Sequence, residues 1–302
     1  MTGTIRGASA ARAAAMAALL VVAGGCGAEP EPSLFADAKR VRVGAKTDQP
    51  GTGYQPHGGT FTGLDITVTR ELLKRIKAGP ADFGGVISKD RAAELRSKRF
   101  DLVAATFSIT DERMRPVDAT PPGEGLDFVG PYATTPQGML VRKEDEGRYH
   151  TLDDLNGKRV CVWGGTTSDV ELNKLPQRFT VRVEEDAGYC IKALKANDTD
   201  AVSTDLLILY GFMDSDSTLT VVPKISFGRP NQYGIALAKG HRKDCERLRD
   251  ALKEYATDND WTRDFDHDLP KVPKELRDAA KPTESSIDAL SCKDRPDAGH
   301  AG

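Results

Sequence analysis

The chain has 302 residues with 42 basic and 45 acidic side chains, a formal net charge of −3. A mildly acidic chain with no basic stripe argues against nucleic acid as a partner. Its five histidines are scattered, and no CxxC or HxxxH pair marks a metal site among the cysteines and histidines.

Taken in chain order, residues 1–25 carry Arg6 and Arg12, then a run of small and apolar residues from Ala13 to Ala23, then Gly24 and Gly25. A basic flank, a short apolar core and small residues before a cut site make an export signal. The run is too short to span a bilayer, which takes about 20 apolar residues, and nothing beyond Ala23 is apolar for longer. Cys26, directly after Ala23-Gly24-Gly25, resembles the cysteine of a bacterial lipobox, which is lipidated and becomes the mature N-terminus. Ala23 stands where that pattern prefers Leu, and the alternative is ordinary cleavage that frees a secreted protein. Loss of residues 1–25 removes two arginines and no acid, so the mature chain carries −5. Residues 26–38 begin small and Pro-rich, with Pro30 and Pro32, and read as a flexible tether.

Strands and helices then alternate. Val41 to Ala45 reads as a strand. Ile66, Leu72, Leu73 and Ile76 share one helical face, and Gly79-Pro80 stops that helix. Asp90 caps a second helix, Arg91 to Lys98, and Asp101 to Ala105 makes a short buried strand. Asp111 to Arg115 opens a helix that Pro116 breaks. Gly138 to Val141, Arg159 to Trp163, Thr180 to Val183 and Ala201 to Ser203 read as strands. Asp169 to Leu175, Tyr189 to Lys195 and Asp205 to Met213 read as helices. Tyr233 to Ala238 is the last strand and His241 to Thr257 a long amphipathic helix. The Pro-, Lys- and Asp-rich stretch after Asp268 reads as an irregular tail, fixed in part by Cys292. The alternation predicts an α/β protein with mostly parallel sheets.

Three stretches carry chemistry. Ala105 to Arg113 runs from a strand end into a helix start and offers hydroxyls and a guanidinium at one mouth. Gly164-Gly165-Thr166-Thr167-Ser168 lies between a strand and a helix, where backbone amides favour an anion and glycine admits a ligand closely. Asp200 to Asp205 brings a carboxylate to the C-terminal end of a strand, where ligands bind in open α/β sheets. A fork for a carboxylate, an amide nest and a counter-charge for an ammonium suit an α-amino acid zwitterion. Taken singly, each stretch also suits a solvated helix, a tight turn or a cap.

Their order is more telling. Ser-Ile-Thr-x-x-Arg, Asp127-Phe-x-x-Pro-Tyr132, Leu155-Asn156-Gly157-Lys158, Gly-x-Thr-x-Ser, Asp-Ala-Val-x-x-Asp and Tyr233-Gly234-Ile235-Ala236 follow one another along the chain. From about Val41 to Trp261 the chain resembles the amino-acid-binding family of type II periplasmic binding proteins. Lys46-Thr47-Asp48-Gln49-Pro50-Gly51 resembles, more narrowly, glutamate-binding lipoproteins of actinobacterial ABC importers. The resemblance implies a two-lobed α/β fold with two mixed, mostly parallel sheets and a hinge of two crossover strands. Residues 39–134 and 232–268 would form the first lobe, 135–231 the second and 269–302 a C-terminal tail.

Residue by residue, the resemblance implies Arg113 for the ligand α-carboxylate, helped by Ser108 and the main chain of Thr106. Gly165, Thr166 and Thr167 would hold the ligand from the second lobe, and Asp205 would take its ammonium. Leu64 stands where an aromatic residue is usual, with Tyr54 as a candidate replacement. Lys46 is expected to pair with a ligand side-chain carboxylate, which favours glutamate or aspartate; the alternative is that it meets solvent or a nearby acid. An insertion, Ala119 to Leu126, departs from the family pattern next to Arg113.

Four cysteines besides Cys26 read, in an oxidising compartment, as two disulfides with three connectivities. Cys161–Cys190 with Cys245–Cys292 is the expected set, since each then closes a loop within one lobe and leaves a clamshell free to move. The function expected is capture of an amino acid by a lipid-anchored monomer for an ABC permease, with no cofactor. A receptor reporting amino-acid level to a sensor is the alternative. An enzyme on the same fold is disfavoured by the lack of GxSxG, HExxH, P-loop or dinucleotide motifs.

Overall fold

The computed structural model describes residues 1–4, 33–36 and 38–295, and everything below concerns the unit from Glu31 to Gly302. The expected signal segment, apart from its first four residues, and Cys26 lie outside the described residues.

The chain opens with β1 (Val41–Ala45), the short pair β2 (Asp48–Gln49) and β3 (Gly53–Tyr54), and α1 (Leu64–Arg75). β4 (Ala81–Gly85), α2 (Arg91–Arg96), β5 (Leu102–Val103) and α3 (Asp111–Met114) complete the first lobe's opening pass. The long strand β6 (Leu126–Arg142) leads to β7 (Arg159–Trp163), α4 (Thr167–Asn173), β8 (Thr180–Glu184), α5 (Ala187–Lys195), β9 (Ala201–Asp205) and α6 (Leu206–Ser215). A second long strand, β10 (Leu219–Ala238), returns to α7 (Arg242–Thr257), α8 (Asp260–Asp268), α9 (Lys274–Ala280) and α10 (Glu284–Leu290).

The strand order is β4-β1-β5-β10-β6-β9-β7-β8. β4, β1 and β5 run parallel at one end, β9, β7 and β8 at the other, and the antiparallel pair β6/β10 joins the two groups. Two separate sheets were expected; the finding is one continuous ladder, because β6 and β10 are long enough to run through both lobes. Register shifts interrupt their pairing between Val221 and Ser226, Phe227 and Asn231, and Tyr233 and Ile235.

Side chains alternate faces along a strand, and a parallel sheet covered by helices buries both. Leu102 and Ala104 therefore face the core shared with α1 and α7, while Val103 and Ala105 face a second core with Phe100 and Phe107. The other lobe repeats the device: Cys161 and Trp163 face α5, and Val160 and Val162 pack with Leu155 and Leu172. The disulfides join Cys161 to Cys190 and Cys245 to Cys292, the pairing that keeps each inside one lobe.

Two expectations are corrected. The stretch after Asp268 is not irregular: α9 and α10 pack on β6, through Ala280 and through Ile287 and Leu290 on one helical face. Charged composition hid that sparse apolar spacing, and Thr283 with Ser286 forms the capping box that starts α10. The end of the tether is docked, not free. Ser33 Oγ and the Leu34 N–H both donate to Asp244 at 2.7 Å, and Phe35 is buried.

Candidate functional site

Each chemical stretch emerges at the C-terminal end of a parallel strand. β5 ends at Val103, and Ala104 to Ser108 then runs along the mouth of the first lobe into α3. β7 ends at Trp163 and turns through Gly164 and Gly165 into α4; β9 ends at Asp205, at the start of α6. Between the lobes these ends close on a small cavity, walled by Ser88, Arg91, Thr106 and Ser108 on one side and Trp163, Thr167 and Asp205 on the other.

Two guanidinium groups dominate the site. Arg113 is buried, donating to the Ser108 carbonyl at 2.7 Å and to the Gly165 carbonyl at 3.1 Å. Arg91 is also buried and donates to the carbonyls of Ser88, Ala105 and Gly165 at 2.8, 2.9 and 2.8 Å. Both lie against the Phe107 ring, at 4.1 Å for Arg91 and 4.6 Å for Arg113. Burial, and then the neighbouring Arg113 charge, lowers the Arg91 pKa to about 9. Burial likewise lowers that of Arg113. Among the described residues neither cation has a carboxylate within ion-pair distance; their partners are carbonyl oxygens.

Across the cavity, the Asp205 carboxylate accepts from Asn231 Nδ2 and from the Tyr233 hydroxyl at 2.7 Å. Burial pushes its pKa up to about 6, against the lowering effect of the Tyr233 and Asn231 hydrogen bonds and of the Arg91 and Arg113 charges. Ser108 Oγ and Thr167 Oγ1 stand 3.4 Å apart between the lobes.

The loop carrying Thr106 is held from below. Asp65 is buried, accepting the Thr106 N–H at 2.9 Å and the Tyr132 hydroxyl at 2.6 Å, and burial raises its pKa to about 7. Thr106 has a positive φ of 45°, uncommon for a residue with a β-branched side chain. Its main-chain N–H is thus committed to Asp65, and its hydroxyl donates to Gln49 at 3.0 Å.

Of the expected residues, Thr106, Ser108, Thr166, Thr167 and Asp205 line the cavity, and Arg113 and Gly165 border the wider cleft that adjoins it. Three others are not brought there. Lys46 is buried, with its ammonium 3.3 Å from Asp48. Leu64 packs in the first lobe's core with Val41 and Val68. Tyr54 is half-buried on β3. The cavity instead contains Arg91, read in the sequence only as a helix residue. One signal was available: a cation at the first position of a helix opposes the helix dipole and needs another reason to be there.

Residues 41–267 match the model of bacterial extracellular solute-binding proteins, family 3. The chain belongs to that family. Glutamate-binding protein GluB of Corynebacterium glutamicum is 29% identical over 234 residues, covering 74% of this chain and 76% of that protein. The glutamine-binding protein GlnH of Bacillus subtilis is 28% identical, covering 79% and 84%. An ancestral arginine-binding protein solved with arginine superposes with a TM-score of 0.66 at 25% identity, over 76% of this chain and 98% of that one. This family 3 member therefore has the type II two-lobed fold of amino-acid-binding proteins, and no described helix is long and apolar enough to cross a membrane.

At Gly165 the lobes of this solute-binding protein pack closely. It has φ +77°, and a Cβ there would lie 2.5 Å from Lys89 Cα in the opposite lobe. A Gly165→Ala variant should fold but fail to close, with ligand affinity down by about tenfold or more in calorimetry. Wild-type affinity in that variant would show that closure tolerates a side chain here.

Proposed function

We propose that this protein captures an acidic amino acid, glutamate or aspartate, outside the cell membrane, where a lipid on Cys26 holds it, and delivers it to an ABC permease. The observation that supports this ligand class is the pair of buried guanidiniums without carboxylate partners. Burying a charge is expensive unless it is paired, and two cations side by side favour a ligand with two carboxylates. In this reading Arg113 takes the α-carboxylate, Arg91 the side-chain carboxylate and Asp205 the ammonium. Thr167 and Ser108 contribute hydroxyls from opposite lobes. Lys46, already paired with Asp48, is replaced by Arg91 as the group that reads the side chain. The glutamate-binding name of the corynebacterial relatives agrees with this choice.

Calorimetry with glutamate and glutamine separates these roles. Arg91→Met should lower glutamate affinity by about tenfold or more, the usual worth of a charge-assisted hydrogen bond, and should shrink the preference over glutamine. Lys46→Met should leave that preference in place. An Arg91→Met protein that still favours glutamate to the wild-type degree would refute the assignment. Anchoring has its own test: Cys26→Ser should abolish acyl labelling and release the protein to the medium, and labelled lipid on that variant would exclude Cys26.

A further inference from the structure

Trp163 occupies an unusual position for a buried indole. It is the last residue of β7, and strand alternation turns it to the same side as Cys161, against α5. Its side chain is 1% exposed and walls the cavity on the side of the second lobe. The indole nitrogen, Nε1, is sealed from solvent and has no hydrogen-bond partner in the protein. Buried indoles normally find an acceptor. The chain's other tryptophan does: Trp261 donates to the Tyr132 carbonyl at 2.8 Å.

The carboxylate and the side-chain amide oxygen in the cavity wall are already engaged. Asp205 is the one carboxylate in its wall, and it receives Asn231 and Tyr233. Gln49 Oε1 receives the Thr106 hydroxyl. Arg91 and Trp163 can only donate. An orphaned N–H and a guanidinium in the same wall favour an acceptor group, and an amide NH₂ placed between them would meet donors.

Resting on the acidic-ligand reading above, we propose that the indole N–H of Trp163 donates a hydrogen bond to the ligand's side-chain carboxylate. Trp163 is then a specificity-determining residue, lining from the second lobe the cavity that Arg91 lines from the first. Arg91 supplies charge, and Trp163 supplies direction from a ring that packing holds still. Closure brings the two donors to one carboxylate, so the side chain is read only when the lobes meet.

The full-length mature protein, labelled with ¹⁵N, has two indole cross-peaks, since the chain has two tryptophans. Trp163→Phe assigns them by the loss of one. On titration with L-glutamate the Trp163 indole proton should move downfield while that of Trp261 stays, and L-glutamine should move it less. In calorimetry Trp163→Phe, which keeps the ring bulk, should weaken glutamate by about tenfold and narrow its lead over glutamine. Glutamate binding to saturation with the Trp163 peak unmoved would overturn the proposal and leave the acidic-ligand reading standing. So would a folded Trp163→Phe protein with wild-type preference. If that variant does not fold, the wild-type shift decides. Wild-type protein that binds neither glutamate nor aspartate would remove the reading and the proposal together.

Discussion

Two guanidiniums held out of water, side by side and without a carboxylate, set the terms for the rest of this site. An unpaired buried cation is among the least favourable groups a protein can keep. Arg91 and Arg113 are retained by a cage of main-chain oxygens, from Ser88, Ala105 and Ser108 in one lobe and Gly165 in the other, and by the face of Phe107. Carbonyl dipoles and the more distant charge of Glu124 offset part of the lost hydration. A ligand bringing two carboxylates would complete what the cage begins. The Gly165 oxygen, shared by both arginines, ties the cations of the first lobe directly to the second.

That cage depends on backbone held where few residues rest. Thr106 has a left-handed φ, and the carbonyls of Ala105 and Thr106 turn toward Arg91 because the Thr106 N–H is held by buried Asp65. Tyr132, from β6 at the crossover, donates to the same carboxylate, and Tyr233, from β10, donates to Asp205. Two tyrosines on the paired crossover strands thus brace the anionic groups on either side of the cleft. Their rings stand 5.9 Å apart. A change of angle at the crossover would move both braces together, which links hinge geometry to the charges around the ligand.

Much of this was legible in the sequence. Strand ends carrying Ser108, Thr167 and Asp205 could be placed because alternating apolar runs and small-residue turns are local signals. The cysteine pairing followed from keeping each bridge within a lobe. Arg91 and Trp163 were not legible as cavity-lining residues, since one is simply a helix residue and the other a strand residue until the lobes face each other. The Lys46–Asp48 pair had a signal too: Asp48, two residues on, falls on the same side of an extended chain. The terminal helices were missed because their apolar residues are few and set among charges, with docking onto β6 supplying the stability that propensity does not.

The most direct test of the account is a melting-temperature screen of the purified mature protein against each common amino acid. A ligand that binds only the folded state raises stability with the logarithm of its concentration over Kd. Glutamate and aspartate should raise the melting temperature by several degrees at millimolar concentration, with glutamine and asparagine well behind. Stabilisation by arginine, lysine or apolar amino acids, with no effect of glutamate or aspartate, would contradict the claim that the paired guanidiniums await two carboxylates.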